Sequence, residues 1–122
     1  MTNKQINMRA AMKNEPIHRK DDGTEQCNLR TEAGREEYRR RLAVMWERQR
    51  HACCICWRTI RLSEAEFEHE KGRGMGGAHR DDRIRLADGT WLNGASCRTC
   101  NTEKGSRRMN YNKGIQQEQG AR

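Results

Sequence analysis

Apolar residues are few along this chain, but between residues 31 and 50 they recur every three or four positions. The recurring positions are Tyr38, Leu42, Met45, Trp46 and Gln49. This spacing predicts one amphipathic helix that begins after the N-cap residue Thr31 and ends near Arg50. The other face of the helix carries Arg35, Arg39, Arg40, Arg41 and Arg48. The apolar stripe predicts packing against the rest of the domain, whereas the arginines suit either phosphate contacts or solvation.

Residues 64–70 alternate between charged and less polar positions, which predicts a strand. One face would carry Glu66, Glu68 and Glu70, and the other would carry Ala65, Phe67 and His69. Strict alternation sends Glu68 and His69 to opposite faces, so both can serve one site only if the strand breaks there. The four glycines within residues 71–78 exclude regular structure and provide a place for such a break.

Two further signals predict a hairpin and a short final helix. The Asp88-Gly89 pair lies between apolar residues, which is typical of a tight hairpin turn. Asn93 or Ser96 is expected to cap a helix that continues to about Lys104, where the following glycine stops it.

The length of 122 residues fits one domain, and the pattern divides it into four segments. We expect a flexible arm over residues 1–26, a basic amphipathic helix within residues 27–50, a folded unit over residues 51–108 and a polar tail over residues 109–122. The chain has neither the run of about 20 apolar residues that a membrane span requires nor a signal-peptide segment. A cytoplasmic protein with reduced thiols is therefore expected.

The composition indicates that an apolar core alone does not hold the chain together. Leu, Ile, Val and Phe make up only 13 of the 122 residues. So few large apolar side chains do not offset the entropy of the chain, so the protein is either largely unfolded or held by something else. The net charge is +8, and residues 51–70 are acidic between basic flanks. Basic flanks suit nucleic acid and an acidic segment suits a cation, although a solvated surface gives the same pattern.

Two Cys-x-x-Cys pairs offer the missing source of stability. The pairs are Cys53 with Cys56 and Cys97 with Cys100, with 40 residues between them. Each pair turns two thiolates toward one point, and two such turns close a tetrahedral zinc site. Zinc binding is coupled to folding and contributes on the order of 10 kcal/mol. Cys54 competes with Cys53 but has a poorer chelate spacing to Cys56, and Cys27 is expected to be a free or buried thiol.

The residues between and after these pairs follow a known order. The order is Glu68-His69, Gly76-Gly77, Asn93, and then Asn101 in a run that ends with Lys104-Gly105. It resembles the HNH endonucleases, and the resemblance covers about residues 53–107. It implies a small α+β fold with a ββα-metal (HNH) core stapled by the four-cysteine zinc site, preceded by a helix and a loose N-terminal arm. The chain departs from the family pattern by having Glu68 in place of the usual Asp and Asn101 in place of a final His.

The resemblance also implies a role for each residue of the motif. His69, flanked by carboxylates and next to a loop, is expected to be the general base that activates water for phosphodiester cleavage. Glu68 and Asn101 supply hard oxygen ligands for a catalytic Mg²⁺ or Mn²⁺. Asn93 is expected to hydrogen-bond across the two strands and to hold the loop of the base. A strand histidine, a solvated glutamate and helix-capping asparagines are the structural alternatives.

DNA is the expected partner, and the basic residues near the motif are its expected phosphate contacts. These residues are Arg73, Arg80, Arg83, Arg98, Lys104, Arg107 and Arg108. The sequence thus predicts an HNH endonuclease that nicks or cuts DNA. The alternative is a non-catalytic zinc-knuckle protein that binds nucleic acid, or an accessory protein whose arm docks a larger DNA-processing complex. Small stand-alone members of the family are common in bacteriophages, which implies a bacterial host cell.

Overall fold

The computed structural model describes residues 14–69 and 80–104, which form a small α+β structure with two small antiparallel sheets and one main helix. The first sheet contains β1 (Ile17–Arg19) and β2 (Glu25–Cys27), and the second contains β3 (Ala65–Glu68) and β4 (Gly94–Cys97). The helices are α1 (Glu32–Arg48) and α2 (Arg98–Lys104), with a 3-10 turn at Leu62–Glu64 before β3. None of the helices in these residues is long and apolar enough to cross a membrane.

A β-hairpin occupies residues 17–27, where the sequence predicted a loose arm. Its pairs are Ile17–Cys27, His18–Gln26 and Arg19–Glu25. The carboxylate of Asp22 closes the turn by accepting a hydrogen bond of 3.0 Å from the N–H of Thr24. The far end is held by the buried carboxylate of Asp82, which accepts a hydrogen bond of 2.8 Å from the N–H of Cys27. The hairpin is therefore fixed to a segment that is distant in the sequence.

Helix α1 begins at the predicted cap. The hydroxyl oxygen of Thr31 accepts a hydrogen bond of 2.9 Å from the N–H of Gly34. Gly34 lies against the chain that leads into the helix, and a Cβ at this position would come within 1.9 Å of the carbonyl oxygen of Asn28. This close approach requires glycine, although glycine is a poor helix former.

The second sheet and both helices meet around a small apolar core. Met45 of α1, Phe67 of β3 and Ala95 of β4 are its buried members. Partly buried residues surround them, namely Tyr38, Leu42, Trp46, Ala65, Ile84 and Trp91. The apolar stripe predicted for α1 is thus the face that packs on the sheet. Helix α2 follows β4 directly and packs against both strands of this sheet.

The predicted turn at Asp88-Gly89 is present, but the predicted helix cap is wrong. Gly89 has a φ of +88°, as a tight turn requires. Residues 94–97 extend as β4, so the final helix begins at Arg98 rather than after Asn93 or Ser96. The reason is that Ser96 uses its hydroxyl across the strands instead of capping a helix.

Candidate functional site

The four predicted zinc ligands come together at one end of the second sheet. The Sγ atoms of Cys53, Cys56, Cys97 and Cys100 all lie within 4.8 Å of one another. Four thiolates around a zinc ion, with Zn–S distances of about 2.3 Å, lie about 3.8 Å apart, so the cluster fits a tetrahedral ion with little movement. The predicted four-cysteine metal site is therefore confirmed as a cluster positioned to hold a metal ion.

Local structure explains how the two pairs meet. The first pair lies in the turn that follows α1, and the second spans the junction between β4 and α2. The backbone N–H groups of Ile55 and Cys56 point at the sulfur of Cys53, at N···S distances of 3.4 and 3.5 Å. Trp57 completes this turn with a φ of +62°. Such backbone donors stabilise the negative charge that a metal-binding thiolate carries.

The two remaining cysteines are buried thiols outside the cluster. Burial raises the pKa of Cys27 to about 11. Burial, together with the neighbouring Cys53, raises the pKa of Cys54 well above its usual value. The N–H of Cys54 donates to the carbonyl of Ala95 at 2.9 Å, which ties the first cysteine turn to β4. The structure thus selects Cys53 over Cys54 as the ligand.

His69 lies at the end of β3 and is paired with a buried carboxylate. Its Nε2 lies 2.8 Å from Oδ1 of Asp82, and its ring stacks on Phe67 with a centroid distance of 4.7 Å. The other carboxylate oxygen, Oδ2, accepts hydrogen bonds from the N–H of Cys27 and from the guanidinium of Arg80. The exposed fraction of His69 is 5% and that of Asp82 is 0%. The ring is therefore held in one orientation from two sides.

Sequence reasoning did not connect His69 with Asp82. It gave Asp82 only a capping or salt-bridge role, and the two residues are thirteen positions apart. The adjacent arginines signalled a salt bridge, which the structure contains, but nothing in the sequence signalled the histidine as a second partner.

Asn93 fixes the segment that carries this carboxylate. Its side-chain amide donates to the carbonyl oxygens of Asp81 and Arg83, at 2.8 and 2.7 Å. Because Asp82 lies between these two residues, Asn93 holds the loop against which the ring of His69 rests. These are the cross-strand contacts that the HNH resemblance implies for this asparagine.

The predicted metal ligands Glu68 and Asn101 do not pair with each other. Glu68 is fully buried, and its Oε2 accepts a hydrogen bond of 2.9 Å from the hydroxyl of Ser96. The amide nitrogen of Asn101 instead donates to Oε1 of Glu66 at 3.0 Å. Glu66 and Glu68 share one face of β3, as the alternation predicts, so Asn101 packs beside the face that also carries Glu68. Carboxylate and amide oxygens, which hard divalent cations prefer, therefore lie along this face.

The expected phosphate contacts have different surroundings. Arg83 makes an ion pair with Asp81 at 2.9 Å, and Arg80 makes one with Asp82 at 2.9 Å. Their charges are compensated within the protein, which weakens the expectation that they bind DNA. Arg98 is exposed at the start of α2. Arg73, Arg107, Arg108 and the side chain of Lys104 lie outside the described residues.

No family model, curated protein or solved structure matches this chain.

Proposed function

We propose that this protein is a metal-dependent endonuclease of the HNH type that nicks or cuts DNA by phosphodiester hydrolysis. The observation that carries the proposal is the histidine at the end of β3, with its ring fixed by the carboxylate of Asp82. Around it, two antiparallel strands and the helix that follows them lie beside a four-cysteine cluster. This is the order of elements that the resemblance implies, with zinc in the cluster as the structural ion. Thiolate ligands and a DNA substrate both suit a cytoplasmic protein.

The chemistry assigned to His69 is proton transfer. The carboxylate of Asp82 accepts the proton of Nε2–H, which favours the tautomer whose lone pair is on Nδ1. Nδ1 takes a proton from water, and the resulting hydroxide attacks phosphorus. Only the neutral ring accepts this proton, so we expect cleavage to decline in acid. Asp82 acts as a positioning residue, because it holds the ring and does not itself touch the substrate.

Glu68 and Asn101 would hold the catalytic cation, as the family pattern assigns. When bound, Mg²⁺ or Mn²⁺ supplies positive charge that stabilises the charge developing on the phosphate oxygens. The donor chemistry fits, because a fully buried carboxylate and a side-chain amide both contribute at the same face of β3. Glu66 lies on that face as well and fixes the amide of Asn101 by accepting its N–H.

Nucleic-acid binding without cleavage is the second candidate function. It is favoured by the burial of His69 and by the pairing of Asn101 with Glu66, because both residues then have purely structural partners. In that case the metal cluster and the basic residues serve to present a binding surface.

Plasmid cleavage distinguishes the two candidates. Supercoiled plasmid is incubated with the zinc-loaded protein, with and without Mg²⁺ or Mn²⁺, and nicked and linear products are quantified. We expect cleavage by the unmodified protein only with the divalent ion. The variant His69→Gln keeps an N–H for Asp82 but cannot act as a base, so we expect a rate about 10² to 10⁴ times lower. The control His18→Ala removes a histidine from β1 and should cleave normally.

Cleavage by His69→Gln at the unmodified rate would contradict the assigned base. An unmodified protein that binds DNA but cuts it with neither ion would leave the non-catalytic binder as the function.

A further inference from the structure

Two arginines converge on the ring of Trp91, away from the histidine site. The guanidinium carbon of Arg48 lies 3.8 Å from the ring centroid, and that of Arg85 lies 4.6 Å from it. Both distances are within the range of a cation–π contact, which a tryptophan ring makes more strongly than other aromatic side chains.

The fold fixes this arrangement from three sides. Arg85 and Trp91 lie opposite each other across the turn, between the hydrogen bonds from Leu86 N–H to Thr90 and from Leu92 N–H to Ile84. In such a pair, the two side chains share one face and lie close together. Arg48 reaches the ring from the last turn of α1. The ring itself packs against the core, so it is a rigid platform for both guanidinium groups.

The electrostatics of this cluster are unfavourable for the protein alone. Within residues 14–69 and 80–104, neither Arg48 nor Arg85 makes an ion pair with a carboxylate. Burial, and secondarily the charge of Arg85, lowers the pKa of Arg48 to about 10. Other arginines of α1 are neutralised, since Arg41 pairs with Glu25 at 2.7 Å and Arg40 pairs with Glu37 at 2.6 Å. Two uncompensated, mutually repelling cations held on one platform favour an anion that bridges them.

We propose that Arg48, Arg85 and Trp91 form a clamp for a phosphate group of a nucleic-acid strand. Guanidinium groups match the oxygens of a phosphate with paired N–H donors, and the ring holds both groups in position before binding. This inference rests on the nucleic-acid partner of the proposed function but not on cleavage. It also moves the principal phosphate contact away from Arg80 and Arg83, whose charges are already paired.

Binding of a fluorescein-labelled DNA duplex to the zinc-loaded protein tests the clamp. The affinity is measured over a series of salt concentrations without Mg²⁺ or Mn²⁺, so that cleavage plays no part. We expect Arg48→Gln and Arg85→Gln each to weaken binding at least about tenfold, because each loses a charge-assisted hydrogen bond. Each should also lower the slope of log affinity against log salt by about one unit. The exposed Arg39→Gln in α1 removes the same charge and should change the affinity less than about twofold.

Two further measurements keep the outcome decisive. Arg85 is exposed, so Arg85→Gln should keep its zinc and its unfolding temperature even if the half-buried Arg48→Gln does not. Poly-glutamate of the same charge as the duplex should bind much more weakly, because it lacks phosphate. The proposal is overturned if Arg85→Gln binds DNA as Arg39→Gln does, if poly-glutamate binds equally well, or if the unmodified protein binds no DNA. Tight binding that depends on the clamp, with no cleavage in the plasmid assay, would leave the clamp and remove the nuclease.

Discussion

Gln49 joins the end of α1 to β4 and to the first cysteine turn, and its replacement should destabilise the whole domain. Its side-chain nitrogen donates to the carbonyls of Ala52 and Ala95, both at 2.8 Å. Its side-chain oxygen accepts from the N–H of Ala95 at 2.9 Å. Gln49 is only 3% exposed, so water does not replace these bonds easily. This polar role was not visible in the sequence, where Gln49 was grouped with the apolar stripe.

The loss expected for Gln49→Met follows from the groups left behind. Methionine has a similar volume and creates little cavity, so the cost is that of unsatisfied backbone groups. The carbonyl of Ala95 keeps the N–H of Cys54, whereas the carbonyl of Ala52 and the N–H of Ala95 lose their partner. Each buried group left unsatisfied costs about 1–3 kcal/mol, so the free energy of unfolding should fall by about 2–6 kcal/mol.

Urea denaturation of the zinc-loaded protein, followed by circular dichroism, measures this change. Glu36→Met places the same side chain on the exposed face of α1 and serves as the control, with an expected change below about 0.5 kcal/mol. A loss below about 1 kcal/mol for Gln49→Met would refute the reasoning, because it would show that the three hydrogen bonds contribute little.

Two other predictions concern the hairpin and the start of α1. Gly34→Ala should destabilise the protein in urea, although alanine favours helices by about 1 kcal/mol, because the new Cβ would overlap the carbonyl of Asn28; equal or greater stability would contradict the close approach. Because the folded pKa of Cys27 is raised from 9.0 to about 11, its contribution to stability is complete below about pH 9 and is lost as the pH rises toward 11. Iodoacetamide at pH 8 should therefore leave Cys27 unmodified by mass spectrometry until urea unfolds the chain, and equal labelling with and without urea would contradict its burial.

The parts of the fold predicted from the sequence are those encoded by local spacing. The period of α1, its cap at Thr31 and the turn at Gly89 depend on residues a few positions apart. The cysteine cluster also follows from local chelate pairs, because each Cys-x-x-Cys turn brings two sulfurs together before the pairs meet. Such features need little information from the rest of the chain.

The parts that were missed depend on contacts between distant segments. The hairpin at residues 17–27 contains few apolar residues, and its anchor at Cys27 is the carboxylate of Asp82, 55 positions away. A buried carboxylate with partners from three segments has no periodic signature. The alternation of β3 places Glu66 and Glu68 on the same face, so the sequence could not indicate which of them lies against Asn101.

The structure also changes one expectation about His69. As a strand residue beside a loop, it was expected to tolerate replacement by alanine with little effect on stability. Because it is buried and bonded to Asp82, alanine would leave that carboxylate without one of its hydrogen bonds. Glutamine therefore gives the cleaner test of a catalytic role.

Zinc content and unfolding, measured on the same preparation, test most directly whether a bound metal holds this domain together. Elemental analysis should find about one zinc per chain, and X-ray absorption should show four sulfur ligands at about 2.3 Å. Removal of the zinc by a chelator should abolish the cooperative unfolding transition of residues 53–105, since metal binding and folding are coupled. Cys97→Ser should behave in the same way. A metal-free protein, or a Cys97→Ser variant, that retains a cooperative transition at the original temperature would contradict the central claim.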